Sequence, residues 1–262
     1  MRRPLRVTAE PREVPWPLLR QGGPPRVCIG PDGRWLVSGA DDGVRLADLE
    51  TGQPTFALDT GAVRALACTA SIAAVGVGDR LLVVHAFAGR VHQELALGAP
   101  VRDVACAHDG TWLAVLDAAG EVRVFRVATG RRVAAAVVDG GTCLGVPDAD
   151  DAVCVGTARG ALVRLGLDGR FLDEVAAGEG GVTRLVPTRA GVVRVPAPFT
   201  VGDALPDGAL VVGGADGWGV LRDGTFERLG DASLADLAAH PAGRHVALAT
   251  VGGEVGLMRL PG

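Results

Sequence analysis

Residues 43–53 read "GVRLADLETGQ", and this stretch decides the fold. Val44 and Leu46 fall on one face and Arg45 on the other, the period of a half-buried strand. Thr51-Gly52 then supplies a turn. One strand and one turn identify nothing alone, but the same phrase recurs along the chain, and recurrence at a fixed period outranks every other local signal.

The stretch belongs to a longer unit, "PDGRWLVSGADDGVRLADLETGQ", starting at Pro31. "TASIAAVGVGDRLLVVHAFAGRV" follows from Thr69, "AHDGTWLAVLDAAGEVRVFRVATGR" from Ala107 and "DADDAVCVGTARGALVRLGLDGRF" from Asp148, at intervals of 38, 38 and 41 residues. Looser copies start at Leu205 ("LPDGALVVGGADGWGVLRDGTF") and His240 ("HPAGRHVALATVGGEVGLMRL"). Each gives a polar turn, an apolar run, a Gly/Asp turn and an alternating strand. A further short strand precedes each: 26–30, 63–68, 101–106, 142–146, 182–186 and 234–239. No segment holds a helical period. Four short strands per ~40 residues is the period of a β-propeller blade.

The sequence therefore predicts an all-β fold, a single propeller over 1–262 with six four-stranded blades, or seven if 190–201 forms part of another. The last blade lacks an outer strand, and the N-terminal "LRVTA" at 5–9 is expected to pair into it and close the ring, hiding two aggregation-prone edges. Residues 1–25 read as this closure strand plus a proline-rich segment, and 187–207 as an insertion loop.

These phrases resemble the WD-repeat family of β-propellers, whose repeats end in a strand such as "VRLWDLETG". Ala47-Asp48 stands where that family has Trp-Asp, and Phe125-Arg126 takes the place in the third copy. "SGADDG" (38–43) and "DTGAVRALA" (59–67) match the family's turn and its blade opening, the latter without the histidine. The resemblance runs from about Arg26 to Leu260. It implies a rigid disc that binds other proteins and catalyses nothing. The family's His–Ser/Thr–Trp–Asp hydrogen-bonded set is incomplete in every copy, so apolar packing must hold the blades together.

The chain has 262 residues, 39 of them glycine, and a formal charge of −4. With no basic excess, nucleic acid has no electrostatic hold, and it is not expected as a partner. Lysine, asparagine and tyrosine are absent and isoleucine occurs twice; these residues share AT-rich codons, which points to a GC-rich, bacterial source. The N-terminal "MRRPLRVTAEPREVPWPLLRQGG" has no apolar core for a signal peptide, and no apolar run is long enough to span a membrane. Five cysteines without a CxxC pair fit a reduced, cytoplasmic setting and no disulfide.

No GxSxG, HExxH or GxxxxGK motif is present, and the absence of lysine removes Schiff-base and P-loop lysine chemistry. His108 and His240 sit in equivalent turns, with no spacing that supplies further metal ligands. Cys68 and Cys106 align, near Cys28 and Cys143, as small apolar packing residues. No cofactor or metal is expected. Aligning the innermost strands puts Arg26, Ala65, Asp103, Cys143, Arg184 and Asp236 in one layer near the axis, a charge-compensated channel mouth. Trp16 lies outside the repeats, either capping an edge or anchoring a partner. Arg194 and Phe199 sit in the 187–207 segment, which with the proline-rich 11–25 is the expected contact region.

The function expected is a non-catalytic protein–protein interaction scaffold or adaptor in a bacterial multi-protein system, with one or more proteins as partners and neither nucleic acid nor membrane. Trp16, Arg26, Asp103, Arg184, Asp236, Arg194 and Phe199 are the candidate interaction residues. The alternatives are a propeller enzyme of hydrolase or lactonase type, or a small-molecule sensor using the central channel.

Overall fold

A computed structural model describes residues 16–147, 151–188 and 191–261, and every regular element among them is a β-strand. Six four-stranded antiparallel sheets stand round one axis, as the repeat predicts. Blade 1 comprises Arg26–Ile29, Trp35–Ala40, Gly43–Asp48 and Gln53–Leu58, in order from the axis outward. Blades 2, 3 and 4 repeat this order, starting at Val63–Cys68, Val101–Cys106 and Gly141–Gly145. Blade 5 starts at Val201–Ala204 and blade 6 at Leu234–Ala239. The inner strand of blade 6 lies beside that of blade 1, so the ring is closed.

Burial follows radius, and the sequence follows burial. The second strands Trp35–Ala40, Ile72–Val77, Trp112–Asp117 and Ala152–Thr157 are buried at every position. They read as near-continuous apolar runs because a neighbouring sheet covers each face. The fourth strands, such as Phe171–Ala176 and Thr225–Gly230, are mostly exposed and carry the charges. In the third strand Gly43–Asp48, Ala47 is fully buried. Asp48 keeps its turn: its Oδ1 accepts the amides of Glu50 (2.9 Å) and Thr51 (2.8 Å), and Gly52 takes the left-handed conformation (φ +70°) that the turn requires.

Adjacent blades meet through a size exchange. A Cβ on Gly39, Gly76, Gly156 or Gly213, all near the end of a second strand, would lie 2.7, 2.5, 2.6 or 2.8 Å from Val63, Val101, Val182 or Leu234 of the next unit. Between blades 3 and 4 the roles are swapped: Leu116 holds the second-strand place, and Gly141 faces it. One side is large and the other is bare, which keeps the joint at close-packed density.

The fifth repeat departs from expectation. Residues 182–186 were expected as the inner strand of blade 5, but Val201–Ala204 fills that place and pairs with Leu210–Gly214. Leu185–Thr188 pairs instead with Gly191–Arg194 in a separate two-stranded sheet. Its first strand stands in the ring between Gly141–Gly145 and Val201–Ala204. The segment 187–207 is therefore not a loop, since it contains Gly191–Arg194 and Val201–Ala204. The sequence hides this because "VGDA" has a glycine and an aspartate in four residues and reads as a turn.

Leu19–Arg20 pairs with the third strand of blade 6, Leu19 opposite Val255 and Arg20 opposite Glu254. The strand expected there, 5–9, lies outside the described residues. Leu18 and Leu19 are buried with Val27, Ile29, Val255 and Leu257, so this segment packs across the joint between blades 6 and 1. His240, fully buried, spans the same joint. Its Nδ1 accepts the Ala242 amide (3.1 Å), which leaves Nε2 to donate to Gly33 O (3.0 Å).

Candidate functional site

The inner strands line an axial channel with two chambers. The narrower, about 70 Å³, is lined by all six residues expected in one layer: Arg26, Ala65, Asp103, Cys143, Arg184 and Asp236. The wider, about 350 Å³, opens among the turns bearing Pro31, His108 and Pro241. Asp103 and Arg184 line both chambers and stand between them.

Three aspartates on inner strands make the same pair of bonds. Asp103 accepts the amides of Val104 (2.9 Å) and, across the joint, Leu144 (2.7 Å). Asp203 accepts those of Ala204 (2.8 Å) and Ala239 (2.8 Å). Asp236 accepts those of Leu237 (3.0 Å) and Val27 (3.1 Å). Each carboxylate thus ties its own strand to the backbone of the next blade. Inner strands have one edge open toward the axis, and these bonds satisfy some of its donors. Asp203 was not singled out from sequence. The signal was there, in an aspartate followed by two small or apolar residues in "RDVA", "ADLA" and "GDAL".

Arg184 precedes the two-stranded sheet and reaches into this acidic ring, Nη2 lying 3.4 Å from Asp236 Oδ1. The charge of Asp236 holds the guanidinium above its usual value, against burial, with Asp103 and Asp203 adding to the effect. Burial pushes the carboxyls of Asp103 and Asp203 above the usual aspartate range, although backbone amides and Arg184 pull the other way. Arg26 lines the narrow chamber from the exposed end of its strand.

Cys28, Cys68 and Cys106 face the wider chamber from three consecutive blades. Burial raises the Cys28 and Cys106 thiols, and raises Cys143 and Cys154 to about 11. Such thiols stay protonated near neutral pH and are poor nucleophiles. Cys68 Sγ donates to Ile29 O (3.1 Å). All five cysteines are free. Among the described residues, no three His, Cys, Asp or Glu side chains are grouped to hold a metal ion.

The remaining candidates lie elsewhere. Trp16 lays its ring on Gly256 of blade 6, where any Cβ would collide with it, and remains 40 % exposed. Arg194 and Phe199 secure the two-stranded sheet from opposite sides. Arg194 donates to the carbonyls of Ala177 (3.2 Å), Glu179 (2.9 Å) and Gly180 (3.4 Å), the segment leaving blade 4. Phe199 packs on Phe226 of blade 5 with ring centroids 4.8 Å apart. The structure therefore joins Arg26, Asp103, Arg184 and Asp236 at the axis, and keeps Arg194, Phe199 and Trp16 apart from them.

The two-stranded sheet stops short where every blade has two more strands, and a groove of about 490 Å³ occupies the space beside it. Its lining is almost wholly apolar, with Leu162 and Val175 of blade 4 facing Val192, Val193, Pro196 and Ala197. A second groove of about 470 Å³ lies between blades 1 and 2, where Arg34 stands 6.0 Å from the exposed ring of Phe87.

No protein-family model matches the sequence. No curated protein matches it either. Among solved structures, the chain is similar to the β-propeller domain of Cps50 (Swd1) from Myceliophteria thermophila, with a TM-score of 0.80 at 14% identity, covering 93% of this chain and 99% of that one. At that identity the likeness is one of fold: the chain is a β-propeller.

Proposed function

We propose that this protein is a non-catalytic scaffold that binds other proteins within a bacterial, cytoplasmic multi-protein system. The observation that carries this reading is the state of the axial acids. In an enzymatic propeller the axial channel is where acids would be held ready for substrate. Here each of Asp103, Asp203 and Asp236 has both oxygens engaged by backbone amides. A carboxylate so held joins blades and is poorly placed to take a proton from substrate. This disfavours the hydrolase and lactonase alternatives.

The outer surface supports the same reading. Phe87, Phe171, Leu172 and Val175 are each more than half exposed: Phe87 beside the groove between blades 1 and 2, Val175 beside the apolar groove at the two-stranded sheet, and Phe171 and Leu172 on the outer strand of blade 4. Large exposed apolar side chains gathered beside grooves mark contact surfaces. Trp16, lying on Gly256 of blade 6, adds another exposed apolar side chain. No helix among the described residues is long and apolar enough to cross a membrane.

The test is cross-linked retrieval of tagged protein from its native host, comparing wild type with Phe87→Asp and Phe171→Asp. Both positions are exposed, so both variants should fold. The expected result is a defined protein set on the wild type that at least one variant loses. Turnover of a lactone or glycoside, or a small molecule retained in the channel and lost in Arg184→Met, would overturn the reading.

A further inference from the structure

We propose that the narrow end of the axial channel binds a single oxyanion group, a carboxylate or a phosphate, presented by a partner protein. This rests on the scaffold reading and names the chemistry of one contact.

Register supplies the first argument. Arg64, Arg102, Thr142 and Thr183 each stand one residue before the axial layer of Ala65, Asp103, Cys143 and Arg184. Thr200 holds the same level, because Val201 pairs with Gly213 as Ala65 pairs with Gly76. All five line the narrow chamber, with Arg26 beside them. Arginine and threonine side chains both offer hydrogen-bond donors. Such donors therefore converge on one small space, blades 1 to 3 supplying charge and the sector from blade 4 to blade 5 supplying hydroxyls.

Charge is the second. Four arginines line the chamber against two aspartates, in a chain whose formal charge is −4. Both aspartates are held by backbone amides, Asp103 by Val104 and Leu144 and Asp236 by Leu237 and Val27. Arg102 Nη1 donates to Gly141 O (2.6 Å), which fixes the guanidinium at the rim and leaves the rest of its five-donor fork for a ligand. Asp41 lies 3.6 Å from Arg64, beyond hydrogen-bond reach. The side chains of Arg26, Thr183 and Thr200 meet no acceptor among the described residues. Guanidinium groups keep their charge near neutral pH, and a cleft with an excess of one sign draws in counter-ions.

Size is the third. The chamber holds about 70 Å³, about two waters' share of liquid volume. That admits the head of an anion and no whole metabolite. Arg64 and Arg102 are exposed, so the remainder of the ligand stays outside, on the face of the ring. An anionic side chain carried by another protein meets both conditions. Arginine forks suit carboxylate and phosphate alike.

The test is NMR titration of the full chain, following the backbone amides of Thr183 and Thr200 and the Nε signals of Arg64 and Arg102. The probes are the capped peptide GSESG, its glutamine analogue GSQSG, its phosphoserine analogue, and inorganic phosphate alone. At least one of the two anionic peptides should shift all four signals, half-saturating below about 5 mM at low salt, and GSQSG should shift none. A tenfold rise in salt should weaken that binding at least threefold. Arg64→Gln and Arg102→Gln, both at exposed positions, should each weaken it fivefold or more. Arg170→Gln, in an exposed turn of blade 4, should change it less than twofold. Tighter binding of the phosphoserine analogue than of GSESG by tenfold or more supports a phosphate as the group, and a smaller gain supports a carboxylate. No shift with either anionic peptide at about 20 mM, equal losses in Arg102→Gln and Arg170→Gln, or shifts with inorganic phosphate and neither peptide (an adventitious ion only) would each overturn the proposal. If host proteins are still retained on the wild type when no peptide binds, the scaffold reading stands without this site.

Discussion

Asp236 concentrates the chemistry that holds this ring together. It is 2 % exposed, bonds two backbone amides from adjacent blades, and is the nearest carboxylate to Arg184. Removing one member of a buried pair strands the other, an effect of about 3–5 kcal/mol. Asp236→Ala should therefore lower stability by about 3 kcal/mol in urea unfolding. Arg184→Met should cost less, because Asp236 keeps its amide donors. The double variant should be less unstable than the sum of the two. Asp203 allows a pH test. Its folded-state value is raised above the unfolded one of about 4, so its ionisation weakens the fold. The stability that Asp203 contributes is fully present below the unfolded value and is lost as pH rises through the folded value. The wild type's advantage over Asp203→Asn should shrink as pH rises from 3 to 7; an advantage that grows over that range would contradict the assignment. The axial layer was legible from sequence because strand register fixes which positions share a depth. The use of its acids as ties between blades was not, since an aspartate's partners across a joint depend on neighbours 30 or more residues away.

At the scale of strands, the repeat was legible where packing is strictest. Five of the six inner strands lie within one residue of where alternation puts them, and the buried second strands read as unbroken apolar runs. Legibility failed at 182–204. Leu185–Thr188, Gly191–Arg194 and Val201–Ala204 are four residues each, and a glycine or proline in each of them dilutes the apolar pattern. Short strands are held by the sheets around them more than by their own propensity. The glycine-to-valine exchange between blades gives a prediction at this scale. Gly76→Ala places a Cβ 2.5 Å from Val101 and should destabilise the protein by about 1–3 kcal/mol. Adding Val101→Ala should recover part of that loss, since the pair would then share the space as Ala–Ala. If Gly76→Ala melts with the wild type, the joint is looser than described.

At the scale of the molecule, the ring is uneven. Six complete blades need nothing further to bury their faces. The two-stranded sheet completes the circle near the axis, where Arg184 meets the acids, and among the described residues no further strand fills the outer half of its sector. The measurement that tests this most directly is a crystal structure of the full chain at a resolution that shows side chains. The expected result is six four-stranded sheets, with Leu185–Thr188 and Gly191–Arg194 as a separate pair in the ring and Val201–Ala204 innermost in blade 5. Residues 182–186 pairing directly with Leu210–Gly214, or further strands of this chain filling the groove beside Val192 and Val193, would contradict it.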